Sequence, residues 1–269
     1  MPYSLDRAHD PAMTARVPTL AEMTDAALSR LAASREGFLL QIEGGRVGHA
    51  AHANDAAALL WEQLAFDDAV ARVVGFAEAR RDTLVVVISD HGNANPGLNG
   101  TGPAYRDTNA AFASLVRATA SYGALRQRFA EGTPAGGAPT ADRVREVVAS
   151  SLGIEITGGE ASAVRESLLA TPASELNRQL ANPQGVLGQV LGNHTGIGWT
   201  GTSHTADLVP VLALGPGQDR LDGLRANVEV FPALADLMGR RFTNPSLTPE
   251  QAGRLPRTAR WAAEHPHWA

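Results

Sequence analysis

The feature that most constrains this chain is the stretch Thr83–Ser89, TLVVVIS, which runs straight into Asp90 and His91 before the polypeptide breaks on Gly92, Asn93 and Pro96. A continuous apolar, β-branched run is the type of strand that is buried on both faces of a parallel sheet. A strand of that kind is rigid, so it fixes the side chains at its carboxyl end, the edge where open parallel sheets bind ligands. A carboxylate and an imidazole placed together there suit zinc, whereas carboxylates with water suit magnesium. An Asp-His pair after a strand is also an ordinary turn former and helix cap. The dipeptide alone therefore does not decide the function.

Elements before and after this strand alternate in period. Pro18–Ser34 has apolar residues at Leu20, Met23, Ala27, Leu28 and Leu31, which predicts a helix with Thr19 as its N-cap. Phe38–Ile42 reads as a short strand stopped by Gly44 and Gly45, and Asn54–Arg80 as a long helix. Leu208–Gly217 predicts another strand and Val228–Met238 another helix. Helix and strand in alternation argue for an α/β layered fold with a largely parallel sheet and flanking helices.

Between about residues 97 and 192 the texture changes to helical stretches separated by Gly- and Pro-rich pieces: Ala110–Ala130, Ala141–Leu152, Glu160–Leu169 and Glu175–Leu180, with Thr133–Thr140 as a linker. The block reads as a helical insertion over the sheet edge. The tail after Arg241 is polar and interrupted by proline.

Other chemistry-bearing groups cluster at predicted strand ends. Glu43 follows the Phe38–Ile42 strand and leads into GGRVGHAAHAND, which carries His49 and His52; His204, in TGTSHTADLVPV, just precedes the last strand. Each has a plain alternative. Glu43 could cap or salt-bridge, His52 could be a polar residue at a helix start, and His204 could be a loop histidine bonded to backbone. Their shared placement at strand edges favours a site. His194 reads as a loop residue, Arg46 as a surface arginine, and His9, His265 and His267 as residues of weakly structured termini. Ser203 and His204 are neighbours, a poor geometry for a nucleophile and its base, and no G-x-S-x-G elbow is present.

Composition removes several classes. A formal net charge of −5 over 269 residues gives no basic footprint for nucleic acid. There are no cysteines, hence no disulfides and no thiolate metal site. No run of about 18 apolar residues offers a membrane span, and MPYSLDRAHDPAM lacks the apolar core of a signal peptide.

The segments IEGGRVGHAAHANDA, FDDAV, TLVVVISDHGN and GTSHTADLVPVLALGPG resemble the alkaline phosphatase family in order and approximate spacing. The resemblance implies residues 1–269 are the C-terminal half of such a domain, with the insertion at about 97–192. It implies two Zn2+ and one Mg2+: Glu43 as the magnesium ligand, Asp90 and His91 on the zinc that activates a serine nucleophile, His52 and His204 on the other. It also implies small phosphate monoesters as substrates, a homodimer, and a periplasmic or secreted location.

Two departures stand out. The family has a zinc-ligating aspartate four residues before the second histidine; here that position is Gly48, and His49 beside it is the candidate to fill the gap. The family's nucleophilic serine, bridging aspartate and phosphate-gripping arginine lie in its N-terminal half, so no catalytic nucleophile is expected in this chain. On this reading the chain is a fragment or a truncated relative that exposes a sheet edge and apolar surface. DHGN and the later HT before a VP strand also resemble cofactor-independent phosphoglycerate mutase. The third possibility is a non-catalytic metal- or phosphate-binding module.

Overall fold

The structure, a computed structural model, describes residues 1–100, 105, 107–131, 133, 137–169 and 177–240. Two compact units are present, Met1–Gly215 and Pro216–Ala269.

The first unit opens with three helices, α1 (Ser4–Ala8), α2 (Pro11–Arg16) and α3 (Leu20–Leu31). Thr19 begins α3 as expected, in a reciprocal capping box with Glu22. The next segment, Phe38–Ile42, forms no ladder. Phe38 packs its ring edge-on to Phe76, but a strand needs a partner backbone, and none among the described residues pairs with this stretch. Helix α4 (Gly45–His52) follows, then the 25-residue α5 (Ala56–Arg80), which is capped by the Asp55 carboxylate and closed by Arg81 in the left-handed conformation. At 1.5 Å per residue α5 is about 37 Å long.

After α5 come β1 (Val85–Ile88), β2 (Gly92–Asn93) and β3 (Gly97–Leu98). The expected helix 110–130 is broken in two. Helix α6 (Thr108–Ala113) runs into a 3-10 turn, Ser114–Arg117, and α7 (Tyr122–Ala130) starts afresh at Ser121, whose hydroxyl caps it. The break is fixed from outside, since the Thr119 N–H donates to the Ser151 carbonyl and the Asp6 carboxylate accepts from both the N–H and the hydroxyl of Ser121. Helix α8 (Ala141–Leu152) begins at Thr140, and α9 (Gly158–Leu168) at a Thr157–Glu160 capping box. Of Glu175–Leu180, the described part holds a 3-10 turn, Arg178–Leu180. Thr133 and residues 137–140 of the linker are neither helix nor strand.

Helix α10 (Pro183–Thr195) was not expected. Its start is a strong local signal, Asn182 as N-cap and Pro183 in the first turn. Its glycines disguised it. A Cβ at Gly188 would stand 2.6 Å from Asn54 Cβ, and one at Gly185 2.6 Å from the Leu180 carbonyl oxygen. Here glycine admits close packing inside a helix rather than ending it. His194 accordingly sits on α10, its Nε2 3.1 Å from Glu160 on α9. The main core is helical, with Leu125, Phe129, Val144, Val148, Val164 and Leu191 joined by residues from α1, α4 and α5.

The chain then returns through β4 (Ile197–Gly198), β5 (His204–Thr205) and β6 (Val211–Leu214). The expected α/β alternation is present, but the described strand pairs are all antiparallel, where the apolar run had suggested a parallel sheet. β1 pairs with β6, β2 with β5 and β3 with β4. An apolar run looks the same in either direction; the connection sets direction, and here residues 197–214 retrace 85–98 in reverse. Burial is also incomplete, with Val85 buried while Ile88, Leu212 and Leu214 are exposed.

The register shifts twice along this ribbon. From Ile88↔Val211 to Gly92↔Thr205 the first arm takes four steps (88 to 92) and the second six (211 to 205). From Asn93↔His204 to Gly97↔Gly198 it is again four (93 to 97) against six (204 to 198). The surplus residues bulge out of the ladder, a device that re-aims side chains beside functional sites. The second step bends through Ala94 and Asn95, both at positive φ, and is held by Ala94 N–H to Ser203 O at 2.8 Å and Thr200 N–H to Ala94 O at 3.1 Å.

The second unit contains 3-10 turns at Gln218–Leu221 and Asn227–Glu229 and helix α11 (Val230–Leu237), tied by Arg220 Nη1 to Asp236 Oδ2 at 2.6 Å. The tail expected after Arg241, with His265 and His267, lies outside the described residues.

Candidate functional site

Three histidines from separate parts of the chain meet at the first bulge. His91 follows β1, His204 begins β5, and His52 ends α4. The His91 and His204 ring centroids are 3.8 Å apart, and those of His52 and His204 5.0 Å. Asp90 joins them, its Oδ2 lying 3.1 Å from His91 Nε2.

Backbone contacts orient two of the rings. His52 Nδ1 lies 2.7 Å from the Thr202 carbonyl, and His91 Nδ1 3.0 Å from the Gly92 carbonyl. A carbonyl only accepts, so each Nδ1 carries a proton; His52 thereby keeps a lone pair on Nε2, the arrangement that second-shell carbonyls impose on metal-binding imidazoles, whereas His91 Nε2 faces the Asp90 carboxylate. Asn54, fully buried with φ 51°, holds the same loop by donating Nδ2 to the Gly201 carbonyl at 2.9 Å.

Glu43 and His49 are placed differently. Both line a cleft of about 650 Å³, together with Arg46, Trp61 and Glu62. Glu62 is buried and accepts the backbone N–H of Ser4; Arg46 lies over the Tyr3 ring and donates to the Met1 carbonyl. Gly48 faces the ribbon instead: a Cβ there would meet only Asn93 Nδ2, at 3.8 Å. The structure therefore brings Asp90, His91, His204 and His52 together, with Gly48 beside them, and leaves Glu43 and His49 on the cleft. His9 is structural, with Nδ1 2.9 Å from Leu5 O and its ring edge-on to Trp61.

Does this cluster suit a divalent cation? Among the described residues no three His, Cys, Asp or Glu side chains already stand in ligating geometry. The chemistry nonetheless fits, because three imidazoles and an adjacent carboxylate form a zinc-type donor set. The surroundings also carry polar atoms without partners. Asn93 Oδ1, Thr205 Oγ1 and Asn54 Oδ1 are buried and make no hydrogen bond. All three belong to residues in or next to this cluster. Buried polar atoms without partners often mark the place of an ion or water. The sequence singled out the histidines but not Asn54, Asn93 or Thr205. The only signal for them was their adjacency to the motifs.

Two titratable groups near the core are perturbed. Asp55, fully buried, has its pKa pushed up to about 7 by burial, against the N–H groups of Ala58 and Tyr122 that it accepts; nearby Asp6 adds to the rise. Burial also raises Glu160, but hydrogen bonds from Asn193, Thr157 and His194 outweigh it and hold the carboxyl at about 2.

Comparison with known proteins places the chain in a family. Residues 1–239 match the family model described as alkaline phosphatase. Alkaline phosphatase 4 of Bacillus subtilis is 27% identical over 216 residues, covering 80% of this chain and 42% of that protein. Streptomycin-6-phosphate phosphatase of Streptomyces griseus is 36% identical over 158 residues, covering 51% of this chain and 34% of that protein. The crystal structure of Thermus thermophilus alkaline phosphatase superposes with a TM-score of 0.81 at 32% identity, over 94% of this chain and 53% of that one. The chain thus spans about half the length of the relatives it matches, and within that span its α/β fold is theirs. From the matched span and the shared fold together, this chain belongs to the alkaline phosphatase family.

Proposed function

We propose that the chain carries the metal-ligand half of a metal-dependent phosphomonoesterase acting on small phosphate monoesters. The observation that supports this most is the meeting of His52, His91 and His204 at one point of the ribbon. Two zinc ions and a magnesium ion, when bound, would stabilise charge on the attacking and leaving oxygens of phosphoryl transfer. His52 and His204 hold one zinc in this reading, Asp90 and His91 the other, and Glu43 the magnesium. The Thr202 carbonyl keeps the His52 imidazole oriented, and the ribbon holds His91 and His204 beside it. The serine nucleophile comes from polypeptide other than these 269 residues. Family membership also favours a periplasmic or secreted location; among the described residues no helix is long and apolar enough to cross a membrane.

The relatives described above are phosphatases by name, which favours this reading over a phosphoglycerate mutase. Gly48 supports one other reading, a metal-binding module without turnover. Calorimetric zinc titration of the full chain and of His204→Ala tests the first reading: wild-type binding weakened at least tenfold by the substitution is expected, and equal affinity overturns it. Turnover of p-nitrophenyl phosphate is expected once the first half of the Thermus thermophilus relative is added. Zinc bound without turnover selects the module.

A further inference from the structure

We propose that Asn93 is an oxygen donor of the histidine cluster, supplying through Oδ1 the ligand that Gly48 cannot. The inference rests on the metal-binding reading above and adds a residue to it.

Position comes first. Asn93 and His204 are directly opposite in the β2–β5 ladder, and opposite residues of an antiparallel pair project from the same face. His204 on that face touches the rings of both His91 and His52. Thr205, paired with Gly92, points to the other face, where a Cβ on Gly92 would collide with its Oγ1 and approach Asp207. Of the two polar side chains in this ladder that lack a partner atom, Asn93 is the one on the histidine side.

Orientation follows from hydrogen bonding. Asn93 Nδ2 donates to the Gly48 carbonyl at 3.1 Å. A carbonyl accepts and never donates, so the amide nitrogen must face α4 and Oδ1 must face away from it. That Oδ1 is buried and has no partner. An acceptor withdrawn from water and left empty is unfavourable unless something meets it, and a cation among the neighbouring imidazoles would do so.

Space completes the argument. The volume a side chain at position 48 would enter ends on the Asn93 amide, 3.8 Å from an ideal Cβ. The Asn93 side chain thus borders the face of α4 on which Gly48 offers no donor. The substitution is not neutral in chemistry. An amide oxygen has no charge, so His52, His204 and Asn93 form an uncharged donor set. Carbonyl oxygen also favours harder cations more than a thiolate or imidazole does. The cluster is accordingly a weaker zinc site than one closed by a carboxylate.

The test uses the full chain with zinc alone, followed by calorimetry, and with cobalt(II) alone, followed by visible absorption. Asn93→Ala is expected to weaken zinc binding at least tenfold and to shift the cobalt bands. Asn93→Asp, nearly isosteric, is expected to tighten zinc binding, with a melting temperature that reports whether the fold is kept. Wild-type zinc affinity and cobalt bands in Asn93→Ala, with both lost in His204→Ala, would remove Asn93 and leave the histidine cluster standing. A folded Asn93→Asp that binds zinc no better than wild type also overturns the proposal. A wild-type chain that binds neither metal overturns both readings.

Discussion

The ring centroids of His91 and His204 lie 3.8 Å apart, with their planes inclined by 39°. They stand on opposite arms of the antiparallel ribbon, and His52 reaches them from a helix on a third segment. No local sequence preference brings such rings together; the ladder registers do.

His52 has two contacts that can be separated. Its ring meets His204, and its Nδ1 holds the Thr202 carbonyl. His52→Ala is expected to weaken zinc binding about as strongly as His204→Ala and also to speed amide exchange across residues 201–205. His204→Ala should leave that exchange near wild type. Exchange followed by mass spectrometry distinguishes the two; identical protection in His52→Ala would show the carbonyl contact is idle.

Gly48→Asp should restore a carboxylate at the helix face next to Asn93. A Cβ there meets Asn93 Nδ2 at ordinary contact distance, 3.8 Å, and replacing a mid-helix glycine relieves a helix-propensity deficit of a few tenths of a kcal/mol. Zinc affinity is expected to rise at least tenfold in calorimetry. Unchanged affinity would mean the Asn93 oxygen already serves the position fully.

Asp55 makes stability depend on pH. Its folded pKa, about 7, lies above the ordinary value of 3.8. The folded chain therefore keeps a proton that the unfolded chain releases between about pH 4 and 7, and stability falls as pH rises through that window, by at most about 1.4 kcal/mol per unit. Asp55→Asn retains an N-cap oxygen for Ala58 but loses one of the two acceptors, the Tyr122 N–H being left without one. The variant should be less stable than wild type at pH 5 and close the gap toward pH 8. Parallel melting curves across that range would refute the buried proton.

Gly188→Ala should destabilise by about 1–3 kcal/mol, the usual cost of overpacking, because its Cβ would fall 2.6 Å from Asn54 Cβ. The damage should reach the cluster, since Asn54 holds the Gly201 carbonyl. Urea unfolding measures the first effect and zinc titration the second. Gly158→Ala, with open space around its Cβ, is the control and should change neither.

Much of this was legible in the residues. Thr19 announced its helix by capping, and Asp90, His91, His52 and His204 stood out by position. What stayed hidden depends on contacts between distant segments. Gly185, Gly188 and Gly192 looked like breaks because their reason is the backbone and side chains packed against them. The ribbon's antiparallel sense could not be read from an apolar run. The role proposed for Asn93 emerges only once its partner is known to be His204.

The unequal arms of the ribbon carry one more consequence. At each offset the arm holding Asp90 and His91 is the short one, with no residue to spare, while the arm holding His204 has slack. Side chains alternate sides along a strand, so removing a single residue between Ile88 and Gly92 would swing an imidazole to the far side of the ladder. Lengthening or trimming residues 206–210 would be absorbed by a loop. Length variation in this part of the polypeptide is thus tolerated on one arm only.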